Sequence, residues 1–265
     1  IEQDRDRKMT IMTTTFIPCG AKMPIIALFA GALFGGSSWV ATSAYFIGVA
    51  AVIISGVMLK KFKAFAGEPA PFVMELPAYH VPSVGNVLRG TWERGWSFIK
   101  RAGTVILLSS IVLWFLQGFG NVNAGIEGAA YKFGMVADNN TSLLASIGNF
   151  IAPIFAPLGF GTWQATVSIL TGLVAKESVV STMNVLYAGS GSISTALTQV
   201  FTPLSAYAFM TFTLLYMPCI SAFVTIRREM NSLKWALATA LYQTGVAYLL
   251  SLAIFQIGSL VIGML

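Results

Sequence analysis

Charge is scarce in this chain of 265 residues: only 10% are Asp, Glu, Lys or Arg, against about 25% in a soluble domain. Pro24–Leu59, Ala102–Ile126, Asn139–Ala175, Ser178–Ile226 and Trp235–Leu265 carry none at all. A helix needs roughly 20 apolar residues to cross the hydrocarbon of a bilayer, so these runs imply several crossings. They do not alternate apolar and polar residues as strands of a membrane barrel would. The fold class is therefore all-α, a polytopic integral membrane helical bundle.

Cysteine is nearly absent too. Cys19 and Cys219 are the only two, too few for a disulfide framework, and both sit in apolar surroundings as buried hydrophobes or as ligands. The chain has no Gly-x-x-x-x-Gly-Lys-Ser/Thr phosphate loop, no Gly-x-Ser-x-Gly elbow and no His-Glu-x-x-His helix, which excludes those routes to nucleotide binding or hydrolysis. An enzymatic active site is not supported. No small-residue cleavage site follows a short apolar core after the charged Ile1–Lys8, so no cleavable signal peptide is expected; the opening reads as the interior of a longer polypeptide.

The net charge of +6 is concentrated in three places. Arg5, Arg7 and Lys8 form the first cluster; Lys60, Lys61, Lys63, Arg89, Arg94, Lys100 and Arg101 the second; Arg227, Arg228 and Lys234 the third. The positive-inside rule places these segments in the cytoplasm. Nucleic acid is not needed to explain the charge; the expected surroundings are membrane lipid. The spans then run over Ile11–Phe34, Trp39–Leu59, Ala102–Gly118, Leu143–Pro157, Thr162–Tyr187, Leu204–Ile226 and Trp235–Leu265, with Leu143–Tyr187 forming a pair of crossings or one re-entrant hairpin. Between the second and third spans, Val84–Lys100 mixes Val84, Val87, Leu88, Trp92, Trp96 and Ile99 with Arg89, Glu93, Arg94 and Lys100. That pattern predicts an amphipathic helix lying on the cytoplasmic interface. One transmembrane domain, 1–265, is expected: a helical hairpin over 1–59, a cytoplasmic linker over 60–101 and the remaining helices over 102–265.

Pro18-Cys19-Gly20-Ala21-Lys22-Met23-Pro24 opens the first apolar run. Each proline removes an N–H and clashes one turn back in a helix, and the residue before it is pushed out of the helical region. An interrupted helix at membrane depth is tolerated only where it is buried in protein or lines a polar cavity. Two readings follow: a metal path with Cys19 as soft donor, or a proline-bracketed turn with an inert cysteine. Tyr216-Met217-Pro218-Cys219 repeats the dipeptide late in the chain. Pro218 should free carbonyls near Leu214.

Three charges lie within the apolar stretches: Lys22, Lys176 and Glu177. An ionisable group there faces a cavity, pairs with another, or both. At about 100° per residue, Thr171, Glu177, Ser178, Ser181 and Asn184 fall on one helical arc, a polar stripe that either lines a path or bonds a neighbouring helix. Cys19, Cys219 and Glu177 could together hold a soft or borderline ion such as Fe(II) or Mn(II). Met23 and Met217 are thioether donors or core filler, and no spacing resembles a closed structural zinc site. Pro18, Gly20, Lys22, Met23, Lys176, Ser181 and Met217 are the expected lining of the path. His80, in Glu75-Leu76-Pro77-Ala78-Tyr79-His80-Val81-Pro82, is alone and reads as a packing or interfacial residue in an extended cytoplasmic segment.

Pro18–Pro24, Phe72–Pro82 and Gly172-Leu173-Val174-Ala175-Lys176-Glu177, followed by the late Pro-Cys, resemble in that order segments of the bacterial ferrous iron transporter B family. The first looks like that family's second Gate motif. The resemblance covers nearly the whole chain. It implies a permease half that imports Fe(II), the transported ion, across the bacterial inner membrane. It implies that GTP, Mg and hydrolysis belong to an N-terminal G-protein domain which, with a first Gate half, is not in these residues. Cys19 matches the Gate-motif cysteine, a proposed iron contact; Glu177 and Cys219 match positions expected along the path. Partners implied are the GTPase domain, the first Gate half, small accessory iron-transport proteins and further copies in a homo-oligomer. Truncation is the departure: closing a pore needs the missing half or oligomerisation. Alternatives are a Gate-type permease for a nucleoside or another divalent metal, and a scaffold half that docks the GTPase domain through Ala64–Lys100.

Overall fold

The computed structural model describes residues 3–62, 65, 82–121, 133–135, 141–187 and 193–264. The Phe72–Val81 part of the His80 motif, and with it the extended segment expected there, lies outside them. The helices are α1 (Asp4–Thr14), α2 (Met23–Leu33), α3 (Ser38–Lys60), α4 (Val84–Gly118), α5 (Leu143–Phe155), α6 (Trp163–Val174), α7 (Ser178–Leu186), α8 (Ile193–Val200), α9 (Pro203–Leu215), α10 (Ile220–Met230) and α11 (Leu233–Met264). Short 3-10 turns, Gly20–Lys22 and Ala156–Leu158, precede α2 and follow α5. Strands β1 (Phe119–Asn121) and β2 (Phe133–Met135) pair antiparallel.

The ends of these helices follow local chemistry. Ser142, Thr162 and Thr202 cap α5, α6 and α9 by accepting the amides of Ala145, Ala165 and Ser205 at 3.1, 3.3 and 3.2 Å, each replacing a hydrogen bond that a helix start lacks. Pro203 opens α9, where its missing N–H costs nothing. Gly159 takes φ +83° between α5 and α6, and a methyl group there would stand 2.1 Å from the Phe255 ring.

Long apolar helices are present as expected. α3, α11 and the pair α9–α10 are each long and apolar enough to cross a membrane, and α5 with its 3-10 turn and α6 makes a further candidate, bent by 101°. The chain is an all-α, multi-pass membrane protein. The run over Ile11–Phe34 is interrupted at its Pro-Cys element, as expected: α1 carries the charges of Asp4–Lys8 and ends at Thr14, and α2 has 11 residues, about 16 Å long and half a bilayer. A later span differs from the sequence-based expectation. The interfacial helix expected over Val84–Lys100 starts at Val84 but does not stop; α4 runs on to Gly118 for 35 residues. No proline interrupts it, and a change from basic to apolar side chains at Lys100-Arg101 cuts no backbone hydrogen bond. Turn-to-turn contacts hold its first half, with Arg89 Nε on Glu93 at 3.0 Å and Trp92 stacked on Trp96 at 6.2 Å.

The core forms around α9, which packs on α2, α3 and α11. From Ser205 to Leu215 every side chain except Tyr207 is buried, as befits a helix apolar all round. Phe209 lies 5.2 Å from both Phe29 and Phe160 and 5.5 Å from Phe201. α11 serves as a strap over the interrupted elements. Gln243, Tyr248 and Gln256 donate to the carbonyls of Met12, Ile154 and Pro157 at 3.0, 2.9 and 3.0 Å. These carbonyls sit where α1 and α5 give out: the amide of Phe16, for example, bonds Thr13 rather than Met12. A buried carbonyl deprived of its partner costs about 1–3 kcal/mol. Gln243→Leu is expected to lower thermal stability by that amount, read in detergent by unfolding of the purified protein. An unchanged transition would mean that Met12 is satisfied without Gln243.

Candidate functional site

Three helix breaks meet in this fold, and each can be traced to its residues. At the first, Phe16 and Ile17 turn their amides back onto Thr13 and Thr14 at 3.1 Å, Pro18 has no amide to give, and Cys19 is extended at φ −86°, ψ 164°. The Cys19 carbonyl accepts the Lys22 amide at 3.0 Å, so Cys19 heads the turn leading into α2. Gly48 of α3 lets this loop approach: a methyl group there would lie 2.8 Å from the Phe16 carbonyl oxygen and 3.1 Å from Pro18 Cδ.

The second break repeats the device. α9 stops at Leu215, Tyr216 is extended at φ −65°, ψ 170° and Cys219 at φ −60°, ψ 160°. The Cys219 carbonyl accepts the amide of Phe223 at 2.9 Å. Each Pro-Cys pair therefore sets its thiol on the residue that caps the following helical segment.

The third break was not expected. Thr162–Tyr187 is not one helix: α6 ends at Val174, Ala175 is extended at φ −146°, ψ 128°, and Glu177 opens α7. The polar stripe from Thr171 through Glu177 to Asn184 does not form. Thr171 Oγ1 instead lies 3.1 Å from Thr182 Oγ1, residues that a straight helix would hold about 16 Å apart. Ser181 and Asn184 bond back to the carbonyls of Glu177 and Val180 at 3.2 and 3.1 Å. The turn is forced by Lys176, which goes inward and is 3% exposed, against the break after α9. Gly172 makes room for it: a methyl group there would lie 2.4 Å from Tyr216 Oη.

Between the breaks lie two ammonium groups. Lys22 is 5% exposed, and its Nζ donates to the Leu214 carbonyl at 2.5 Å and the Thr15 carbonyl at 3.3 Å. Leu214 is four residues before Pro218, whose missing amide would otherwise have used that carbonyl; the freed acceptor expected there is present and taken. Lys176 Nζ stands 3.0 Å from the centre of the Tyr216 ring and has no hydrogen-bond partner among the described residues. Tyr216 is pinned by its hydroxyl, which donates to the Ile169 carbonyl at 3.1 Å. Cys19 and Cys219 lie within electrostatic reach of both lysines, and the lysines within reach of each other.

The structure thus gathers Pro18, Cys19, Lys22, Lys176 and Cys219. It does not bring Glu177 to them: that side chain is exposed on the chain's own surface, and among the described residues no group of three or more His, Cys, Asp or Glu is placed to hold a metal ion. Cys19 is exposed and Cys219 half-buried. Met23 is 43% exposed, Met217 packs on the aromatic core, and Gly20 and Ser181 are exposed. Sequence reasoning missed Tyr216, Gln243 and the Thr15 carbonyl. Gln243 had a signal, being one of two amides, with Gln256, in the charge-free Trp235–Leu265; Tyr216 and Thr15 become visible only once the breaks are apposed.

Comparison with known proteins supplies the lineage. Residues 41–94 match the family described as Ferrous iron transport protein B C terminus, and residues 99–233 match the Gate family, described as Nucleoside recognition; Pro18–Pro24 precedes both. The Fe(2+) transporter FeoB of Staphylococcus aureus (strain MSSA476) is 38% identical over 263 residues, 98% of this chain and 38% of that protein. That of Methanocaldococcus jannaschii is 38% identical over 262 residues, again 98% and 38%. That of Escherichia coli (strain K12) is 34% identical over 316 residues, 98% and 39%. The chain spans about two-fifths of the length of these relatives. No solved structure matches it. On the Gate match and on this identity along nearly all its residues, the chain belongs to the ferrous iron transporter B family and carries its C-terminal, Gate-bearing membrane region.

Proposed function

We propose that this chain is the permease half of a Fe(II) uptake system of the bacterial inner membrane, and that the ion passes where the two Pro-Cys breaks face each other. The observation that carries the reading is Lys22, whose ammonium already rests as a cation on carbonyls from both breaks, Thr15 and Leu214, within electrostatic reach of Cys19 and Cys219. Carbonyl and thiol donors of this kind suit a borderline divalent ion, and an incomplete donor set lets the ion leave again. Cys19 and Cys219 act as ligands in this reading. Glu177, exposed at the head of α7, acts at the mouth of the path as an acidic way-station. GTP hydrolysis and its Mg belong to a domain outside these residues, and the membrane-facing surface of the bundle is completed by the rest of the protein, by lipid or by further copies.

The test is uptake of radiolabelled Fe(II) by cells expressing the full-length protein. Cys19→Ser and Cys219→Ser are each expected to slow uptake about tenfold, the factor that roughly 1.4 kcal/mol commands, with Glu177→Ala weaker in effect. Normal uptake by both cysteine variants at normal expression would remove the thiols from the path. The Gate family's own description favours one other substrate class, so excess nucleoside belongs in the same assay; competition with Fe(II) would move the reading to a nucleoside permease.

A further inference from the structure

Lys22 is out of place in a path for cations. It is nearly buried, no carboxylate among the described residues partners it, and its Nζ bonds two main-chain carbonyls, one just past the end of α1 and one in α9. The Leu214 carbonyl is free because Pro218 has no amide. The Thr15 carbonyl is free because Cys19, four residues on, is extended. A carbonyl pair of this kind, with two thiols within electrostatic reach, is an arrangement for a cation. In this structure the cation is the protein's own. We propose that Lys22 is a tethered plug: its ammonium occupies the ion position in the resting protein, and a divalent metal must displace it to bind.

Several observations fit this assignment. Lys22 sits at the end of a 3-10 turn just before α2, on a long unbranched side chain that can swing without moving a helix. A second ammonium, that of Lys176, stands within electrostatic reach and is held by the Tyr216 ring rather than by a hydrogen bond. Repulsion between like charges keeps the plug displaceable. A lysine placed there only for packing would not need two acceptors drawn from both Pro-Cys breaks. The inference rests on the proposed Fe(II) path but concerns what fills it at rest, and it makes Lys22 a positioning and selectivity residue rather than a ligand.

The experiment uses Co(II) as the probe with full-length protein in detergent, under reducing conditions, following the sulfur-to-cobalt charge-transfer absorption. Lys22→Met is expected to tighten Co(II) binding about tenfold, whereas Lys22→Arg, which keeps a cation on the carbonyls, should bind as the unaltered protein does. A purely structural lysine would give weaker binding in Lys22→Met, or none. Because Lys22→Met leaves two carbonyls bare, a second measurement needs no variant. In the unaltered protein, acylation of Lys22 by a membrane-permeant amine reagent, read by mass spectrometry, should rise several-fold when Co(II) is added. Equal Co(II) affinity in Lys22→Met and the unaltered protein, or Lys22 labelling indifferent to Co(II), overturns the plug and leaves the thiol path standing. Absence of the charge-transfer band from every form overturns the thiol path itself, and the plug with it.

Discussion

Replacing Lys176 with methionine is expected to make the protein more stable and slower at once. Lys176 is 3% exposed and its Nζ makes no hydrogen bond among the described residues. Its compensation is the face of Tyr216 at 3.0 Å, worth about 2 kcal/mol when desolvated. Desolvating an ion costs several kcal/mol even after relaxation, and replacing buried ionic groups by apolar ones of similar size is often stabilising by about 1–4 kcal/mol. Lys176→Met keeps the stem and removes only the charge, so unfolding in detergent should shift upward by an amount in that range. Function should move the other way. Without a positive neighbour, an ion between Cys19 and Cys219 is held more tightly, and a transport site that grips its ion releases it slowly. Co(II) binding to the full-length protein should tighten while Fe(II) uptake falls by about tenfold, roughly 1.4 kcal/mol. A lysine kept for function at the expense of stability gives this opposed pair of shifts. A loss of stability would instead make Lys176 a structural residue, and unchanged uptake would take it out of the path.

Gly48→Val should have the largest destabilising effect of any single change near the first break. Even a Cβ at position 48 would lie 2.8 Å from the Phe16 carbonyl oxygen and 3.1 Å from Pro18 Cδ. Neither atom belongs to a flexible chain end that could swing aside. The Phe16 side chain beyond it is fully buried. Overpacking of a tight contact costs about 1–3 kcal/mol and sometimes more, and here the group displaced is the loop that holds Cys19. Unfolding should come earlier by at least that amount, and Fe(II) uptake should be lost with it. Gly56, one face further along α3, has nothing within 4 Å of a Cβ, so Gly56→Val is the control that should be silent. Equal behaviour of the two would mean that α3 does not seat the Pro-Cys loop.

The lineage was legible because it is written in short motifs whose order does not depend on folding. The interrupted helices at Pro18 and Pro218 were legible because proline acts on its own backbone, whatever surrounds it. Even the freed carbonyl at Leu214 follows from counting four residues back. The break at Ala175 was not legible. Gly172–Ser178 contains no proline, and its glycine serves to admit Tyr216 rather than to turn the chain, so the ring against which Lys176 turns inward lies 40 positions away. The α4 seam misleads in the opposite direction: the change of side-chain character at Lys100 suggests a boundary, but helices are cut by lost hydrogen bonds and not by polarity, and α4 runs through it.

What the amino-acid order determined by itself is everything set within one turn of a residue: that the runs are helices, that two of them break at Pro-Cys, and that three charges stand in apolar surroundings. Only the tertiary structure decided which of those charges the breaks enclose. It turned Lys22 and Lys176 inward against the helix breaks and left Glu177 on the surface, because lysine's long stem reaches a distant carbonyl or ring, whereas the short glutamate side chain, at the position that starts α7, is carried outward by the turn at Ala175.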